Sequence, residues 1–307
     1  MKCLESELIS VITPTYNRAK LLHRVYDSLC KQTYKSFEWI IVDDGSTDNT
    51  SETVEQWMKD KKIDIKYVYQ KNSGKHIAVN KAVKLSRGNW IVIADSDDSF
   101  RSDAFSFFMN EIKKLPEKYE GEEYRGISCR CFAEDNSTIL GNPFPQNKYY
   151  IDAREDDFKY KLKIQGELWG IIKKEAMLKY PFPQLDDAHY YPESVIWDSM
   201  SDEYITRYIN EPIRYYYRDA DNSITKNKKY NRYNENYDLW IHNINRNSRY
   251  FIYSPQMVIK SFVGCNMDTL FCDIPYKKTL ERINTFWKKV ICIFTYPLGY
   301  VMYIRRR

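Results

Sequence analysis

The first hundred residues alternate between short apolar runs and longer amphipathic stretches. Leu8-Ile9-Ser10-Val11-Ile12-Thr13, Phe37-Glu38-Trp39-Ile40-Ile41-Val42, Ile65-Lys66-Tyr67-Val68-Tyr69 and Trp90-Ile91-Val92-Ile93-Ala94 are the apolar runs. Runs this short, bounded by polar turns, read as strands buried in a sheet. Between them, Leu21, Leu22, Val25 and Leu29 predict one helix and the stretch from about Asn49 to Asp60 a second. Ala78, Val79, Ala82, Val83 and Leu85 predict a third, with Gly88 as its C-cap. Strands alternating with helices predict βαβ units, right-handed crossovers and an α/β fold on a mostly parallel, doubly wound sheet.

Such sheets bind ligands beyond the carboxyl ends of their strands. Three polar clusters fall there: Pro14-Thr15-Tyr16-Asn17-Arg18, Asp43-Asp44-Gly45-Ser46-Thr47-Asp48 and Asp95-Ser96-Asp97-Asp98. Three acids within four residues repel one another and resist burial, so a positive partner is expected among them. If the chain stays extended, Asp95 and Asp97 point the same way. A hard cation such as Mg2+ or Mn2+, itself carrying a phosphate, suits that arrangement. Each cluster also has a plainer reading. The acids can cap a helix starting near Asp103, Asp44 to Asp48 can form a turn and N-cap, and Tyr16 can simply pack. Taken together they favour a nucleotide site. No glycine-rich phosphate loop of the dinucleotide or P-loop type is present, which argues against a kinase or a nicotinamide dehydrogenase.

The 307 residues suit one large α/β domain with an extension, and the net charge of +5 is too mild to imply a nucleic-acid partner. Seven scattered cysteines lack zinc-site spacing, and Met1 to Glu7 has no signal-peptide core, so a reducing, cytoplasmic setting is expected. The 27 tyrosines hint at sugar or interface contacts.

Four ordered motifs over about a hundred residues carry a resemblance. They are Ser10 to Arg18, Ser28-Leu29-Cys30-Lys31-Gln32-Thr33-Tyr34, Ile41 to Asp48, and Asn72-Ser73-Gly74 with Ala78-x-Asn80 leading to Asp95-Ser96-Asp97-Asp98. Together they resemble the opening of family 2 glycosyltransferases of the GT-A fold, in bacterial capsule or exopolysaccharide style. The resemblance implies transfer of a sugar from a nucleotide sugar, most often a UDP-sugar, with inversion at the anomeric carbon. By position, Pro14, Thr15 and Tyr16 look like the wall against the nucleobase, and Asp44 like the acceptor for its imide NH. Lys75 or His76 would lie near the base or diphosphate, with a solvated helix start as the plainer reading. Asp95, beside Ser96, resembles the carboxylate facing the ribose, Asp97 the metal ligand of the D-x-D motif, and Asp98 a neighbour of variable role in the same metal site.

Past residue 110 the match weakens, where acceptor specificity would lie. Tyr124 to Cys131 is an expected strand, and Gly166 to Lys174 resembles the segment across the acceptor site. Pro192-Glu193-Ser194 stands where the family has an acidic pair at a helix start, with Ser194 replacing the second acid. Glu193 is thus the expected base, with Asp186, Asp187 and Asp198 as rivals, or else only an acid favoured by the helix dipole. Tyr208 to Arg218 reads as two short strands whose Arg214 or Arg218 could reach the diphosphate, followed by a loop at Asp221 to Thr225. There is no Q-x-x-R-W, so one sugar per visit is expected. A sugar-nucleotidyltransferase or a non-catalytic nucleotide-sugar binder is the alternative.

The expected organisation is a donor-binding half (1–110), an acceptor-binding half (111–225) and a helical extension (226–307), with Lys226 to Asp238 as linker or loop. Leu280, Ile283, Trp287 and Val290 fall on one helical face among lysines and arginines. Val290 to Ile304 is apolar, interrupted by Pro297 and Gly299, and followed by Arg305-Arg306-Arg307. That is short of the roughly 20 residues a span needs. Lying on an anionic membrane face, at the inner side of the cell membrane, is favoured over packing on the domain. Such docking would suit a lipid-linked saccharide acceptor.

Overall fold

The four apolar runs are strands. β1 (Ile9–Thr15), β2 (Phe37–Asp43), β3 (Ile65–Tyr69) and β4 (Trp90–Ile93) lie parallel in the order β3-β2-β1-β4. The computed structural model describes residues 7–135, 137–184, 191–217 and 233–307. Side chains alternate between two cores, as a period of two requires. Val11, Trp39, Ile41 and Val92 face α1 (His23–Cys30) and α2 (Thr50–Asp60), while Ile12, Ile40, Val42 and Ile91 pack under α3 (Lys75–Leu85). Gly88 does not cap α3, which ends on an extended Ser86. The glycine instead lets the chain pass β1: a Cβ there would sit 2.4 Å from the Leu8 carbonyl oxygen.

Beyond β4 the sheet changes direction. After β5 (Ser99–Phe100), α4 (Ala104–Lys113), β6 (Glu123–Phe132) and β7 (Tyr150–Ala153), β8 (Leu168–Lys173) inserts antiparallel between β4 and β6. α5 (Lys174–Lys179), α6 (Glu193–Met200) and β9 (Tyr204–Tyr215) follow, and β9 runs parallel to β6. Among the described residues the sheet has nine strands in the order β3-β2-β1-β4-β8-β6-β9-β5, with β7 also on β9. β9 is one continuous strand where two were expected. Pro212 has no N–H for the ladder, and the register shifts opposite Arg130 absorb it without ending the strand.

The chain divides into two units: Met1–Glu155 with Ile164–Ser223, and Asp156–Lys163 with Ile224–Arg307. The second contains α7 (Tyr233–His242), α8 (Pro255–Phe271), α9 (Tyr276–Arg282) and α10 (Phe286–Arg306). Part of the expected linker is therefore helical, because Tyr237, Ile241 and Ile244 give α7 and the turn after it an apolar stripe against Val258, Phe262 and Cys265 of α8. α10 continues through Pro297. Gly299 faces Asn266 of α8 at a distance that excludes a Cβ, and the Asn266 amide donates to the Cys292 carbonyl at 2.8 Å. Among the described residues no helix is long and apolar enough to cross a membrane.

Candidate active site

The carboxyl ends of β1, β2 and β4 bring the three polar clusters to one edge of the sheet. Asn17 ties the first two together: its side-chain oxygen accepts from the Thr47 N–H at 2.7 Å, and its own N–H donates to Ser46 Oγ at 2.8 Å. Pro14 and Thr15 are buried at the strand end and Tyr16 is exposed. Asp43 and Asp44 divide the work. Asp43 accepts from the Ser46 N–H and the Tyr67 hydroxyl, which shapes the turn. Asp44 accepts from the Gln70 amide and from the N–H groups of Ser73 and Gly74, at 2.7–2.8 Å. Gly74 donates with φ +96°, a left-handed conformation that favours glycine, and it opens α3 at Lys75.

Lys75 is the hub. Its ammonium lies 2.7 Å from Asp95 and 2.8 Å from Glu193, the first residue of α6. Burial disfavours the charged lysine, but the two carboxylates outweigh it and hold its pKa well above the usual value. His76 lies apart from this bridge. It is buried, with its ring against Phe182 and Tyr191. Asn80, one turn on, exchanges hydrogen bonds with the Phe182 backbone.

The acidic cluster does not continue the strand. The Asp98 N–H donates to the Asp95 carbonyl at 3.3 Å, closing a turn, so Asp95 and Asp97 do not share a face as an extended chain would require. Asp95 meets Lys75 and, at 3.3 Å, Arg214. Burial pushes its carboxyl up, yet these cations more than compensate and hold it below the usual range. Asp97 turns the other way, 3.2 Å from Arg18, and its backbone carbonyl accepts from Arg24. Burial, and then the Asp95 charge, raise its pKa. Asp98 is fully buried against Arg214 and takes the Tyr217 N–H at 3.4 Å. Burial lifts it to about 7 despite Arg214. Ser96, between them, is buried.

These positions bear on two expectations. Asp98, expected in the metal site, is enclosed beside Arg214. Arg214, expected near the diphosphate, has a side chain that is 5% exposed and pairs with Asp98 and Asp95. Arg218, Asp186, Asp187 and the 221–225 loop lie outside the described residues. Asp198 is buried five residues beyond Glu193, about 140° round the helix from it. Glu167, just before β8, is a further acid at this site: it lies 3.8 Å from Arg214, and burial raises its pKa. Its signal in the sequence is its place in the Gly166 to Lys174 segment, which does not by itself mark the acid.

The donor atoms here are all oxygens, as Mg2+ or Mn2+ would require. Among the described residues no three His, Cys, Asp or Glu side chains form a ready cage. With Asp98 withdrawn, Asp97 remains. It is partly exposed, 3.2 Å from Arg18, and burial with the neighbouring Asp95 charge raises its pKa. One carboxylate plus substrate phosphates is an ordinary magnesium site.

The family model described as Glycosyl transferase family 2 matches residues 10–160. Residues 10–160 of the chain belong to glycosyltransferase family 2. With relatives named glycosyltransferases, the chain is a transferase enzyme. Bacillus subtilis TuaG, named for teichuronic acid biosynthesis, is 29% identical over 222 residues, covering 72% of this chain and 82% of TuaG. The GalNAc(5)-diNAcBac-PP-undecaprenol beta-1,3-glucosyltransferase of Campylobacter jejuni is 28% identical, over 73% of this chain and 69% of its own. A longer, uncharacterized Rickettsia conorii glycosyltransferase is 42% identical over 146 residues, and the match spans 24% of its length. The fold is that of S. aureus TarS in its complex with UDP-GlcNAc: TM-score 0.64 and 14% identity, over 97% of this chain and 92% of that one.

Proposed function

We propose that this family 2 enzyme moves one sugar from a nucleotide sugar, a UDP-sugar, to a saccharide acceptor with inversion, in surface-polysaccharide assembly at the cytoplasmic face of the membrane. The observation that carries the reading is the Lys75 bridge, which joins a donor-side carboxylate, Asp95, to the candidate base, Glu193. The relatives' names support the biology: TuaG is named for teichuronic acid biosynthesis, and the C. jejuni enzyme as a glucosyltransferase of GalNAc(5)-diNAcBac-PP-undecaprenol.

In this mechanism Pro14, Thr15 and the exposed Tyr16 form the nucleobase wall. Asp44 is anchored by three donors and offers its remaining acceptor position to the base's imide NH. Asp95 takes the ribose, with Ser96 shaping the turn behind it. Lys75 directs its charge at the diphosphate, while His76 supports the helix start from within. Glu193 removes the acceptor hydroxyl's proton as that oxygen attacks the anomeric carbon opposite the leaving diphosphate. A positioned carboxylate of this kind contributes roughly 10²–10⁴-fold. Asp97 would hold Mg2+ or Mn2+, which supplies positive charge for the diphosphate as it departs. The test is release of nucleoside diphosphate from a panel of UDP-sugars with either metal. Glu193→Gln should lose transfer by about 10²-fold or more while still binding donor; an unchanged rate would remove Glu193 from the mechanism.

A further inference from the structure

The second unit contains a cavity of about 560 Å³ whose lining includes none of the candidate active-site residues. His242, Asn245, Arg246, Arg249, Asn284 and Lys288 line it, and none of the six is acidic. The cationic groups are built in. Arg246 and Arg249 both reach the fully buried Asp156, and Lys288 donates to the Asn245 carbonyl at 2.7 Å and to Asn284 Oδ1 at 3.1 Å. Burial pushes the Lys288 ammonium below its usual pKa, so its charge is held at a cost that an anion would offset.

Lys288 and Lys289 also lie in the first turn of α10, which contains no acid. Cations are disfavoured at a helix N-terminus, where unpaired N–H groups already present positive charge. An anion in the cavity would resolve both conflicts. The same turn carries a second feature: Phe286 and Trp287 are 70% and 74% exposed. From Trp287 an exposed apolar stripe continues through Ile291, Phe294, Leu298 and Val301, while Cys292 and Gly299 on the other side are buried. Arg305 to Arg307 close the far end. An apolar stripe with aromatic residues at one end and cations at both ends matches an anionic bilayer surface.

We propose that this cavity binds the phosphate head group of a membrane lipid, with the exposed face of α10 seated in the bilayer beside it. Lys288 of the pocket and the exposed Phe286 and Trp287 share the first turn of α10, which places the pocket next to the aromatic wedge. The proposal stands apart from sugar transfer, because lipid binding is read without turnover.

The test is flotation of the full chain with phosphatidylcholine vesicles, alone or with phosphatidylglycerol or a polyprenyl diphosphate at matched surface charge, and with free pyrophosphate as competitor. The chain should float with both anionic vesicles and not with phosphatidylcholine alone. Equal binding assigns the pocket to bulk anionic phospholipid, and a preference for the polyprenyl diphosphate assigns it to a lipid-linked substrate; either supports a lipid phosphate. Arg249→Gln with Lys288→Gln, and separately Trp287→Ser with Phe294→Ser, should each weaken flotation about tenfold or more. Lys288→Arg keeps the charge and should retain binding, which guards against a folding defect. Undiminished flotation of the charge variant would overturn the proposal. So would free pyrophosphate binding without flotation, or a stripe variant that loses only self-association.

Discussion

Replacing Arg214 by methionine separates the two roles this arginine could have. Its side chain is 5% exposed and pairs with Asp98, which is fully enclosed, as well as with Asp95. Removing one member of a buried pair leaves the other charge uncompensated, at a cost of about 3–5 kcal/mol. At pH 8 the full loss applies, because Asp98, already raised to about 7 by burial, must then be held ionised or be protonated against the bulk. For a domain of this size the melting temperature should fall by roughly 2–4 °C per kcal/mol, or about 6–20 °C in all. Thermal unfolding followed by circular dichroism measures this, beside donor KM. Adding Asp98→Asn to Arg214→Met should recover about 1–3 kcal/mol, since the orphaned charge is gone. An Arg214→Met protein that melts with the parent yet shows a donor KM raised tenfold or more would refute the reasoning and restore Arg214 as a diphosphate ligand.

Lys75→Met should lower kcat by about 10–100-fold with a change in stability under about 1 kcal/mol, because this partly exposed bridge positions Asp95 and Glu193 without supporting the core; steady-state kinetics and melts of the same sample decide it. Gly45→Ala should cost about 1–3 kcal/mol by urea unfolding, since Gly45 has φ +88° and a Cβ would lie 2.9 Å from the Asn72 nitrogen. Asp268 predicts a pH dependence: burial raises it to about 7, against the Trp240 N–H that favours the carboxylate. Below about pH 4 both folded and unfolded chains hold the proton; between about 4 and 7 only the unfolded chain releases it, so this group lowers stability as pH rises through that window. Asp268→Asn should then stabilise the chain at pH 8 by up to about 4 kcal/mol and have little effect at pH 4, as urea titrations at the two pH values would show.

The apolar runs and helical periodicities from Leu8 to Ala94 determined the strands and helices from β1 to β4, because each signal sits inside its own element. The positions of Tyr16, Asp44 and Asp95 at strand ends followed, since parallel βαβ units place every such end on one edge. The partners of those side chains did not follow. Arg214 lies more than a hundred residues from Asp98, and Glu193 equally far from Lys75, so only the folded chain decides which charges meet. The same holds for β8, whose antiparallel place between β4 and β6 is a choice of neighbours and not of local conformation. Asp97 and Asp98 mark the division most sharply. Adjacent in the chain and alike in chemistry, they are separated by a single turn into a partly exposed carboxylate and a buried one, because tertiary packing, not residue type, sets what solvent and ligands can reach.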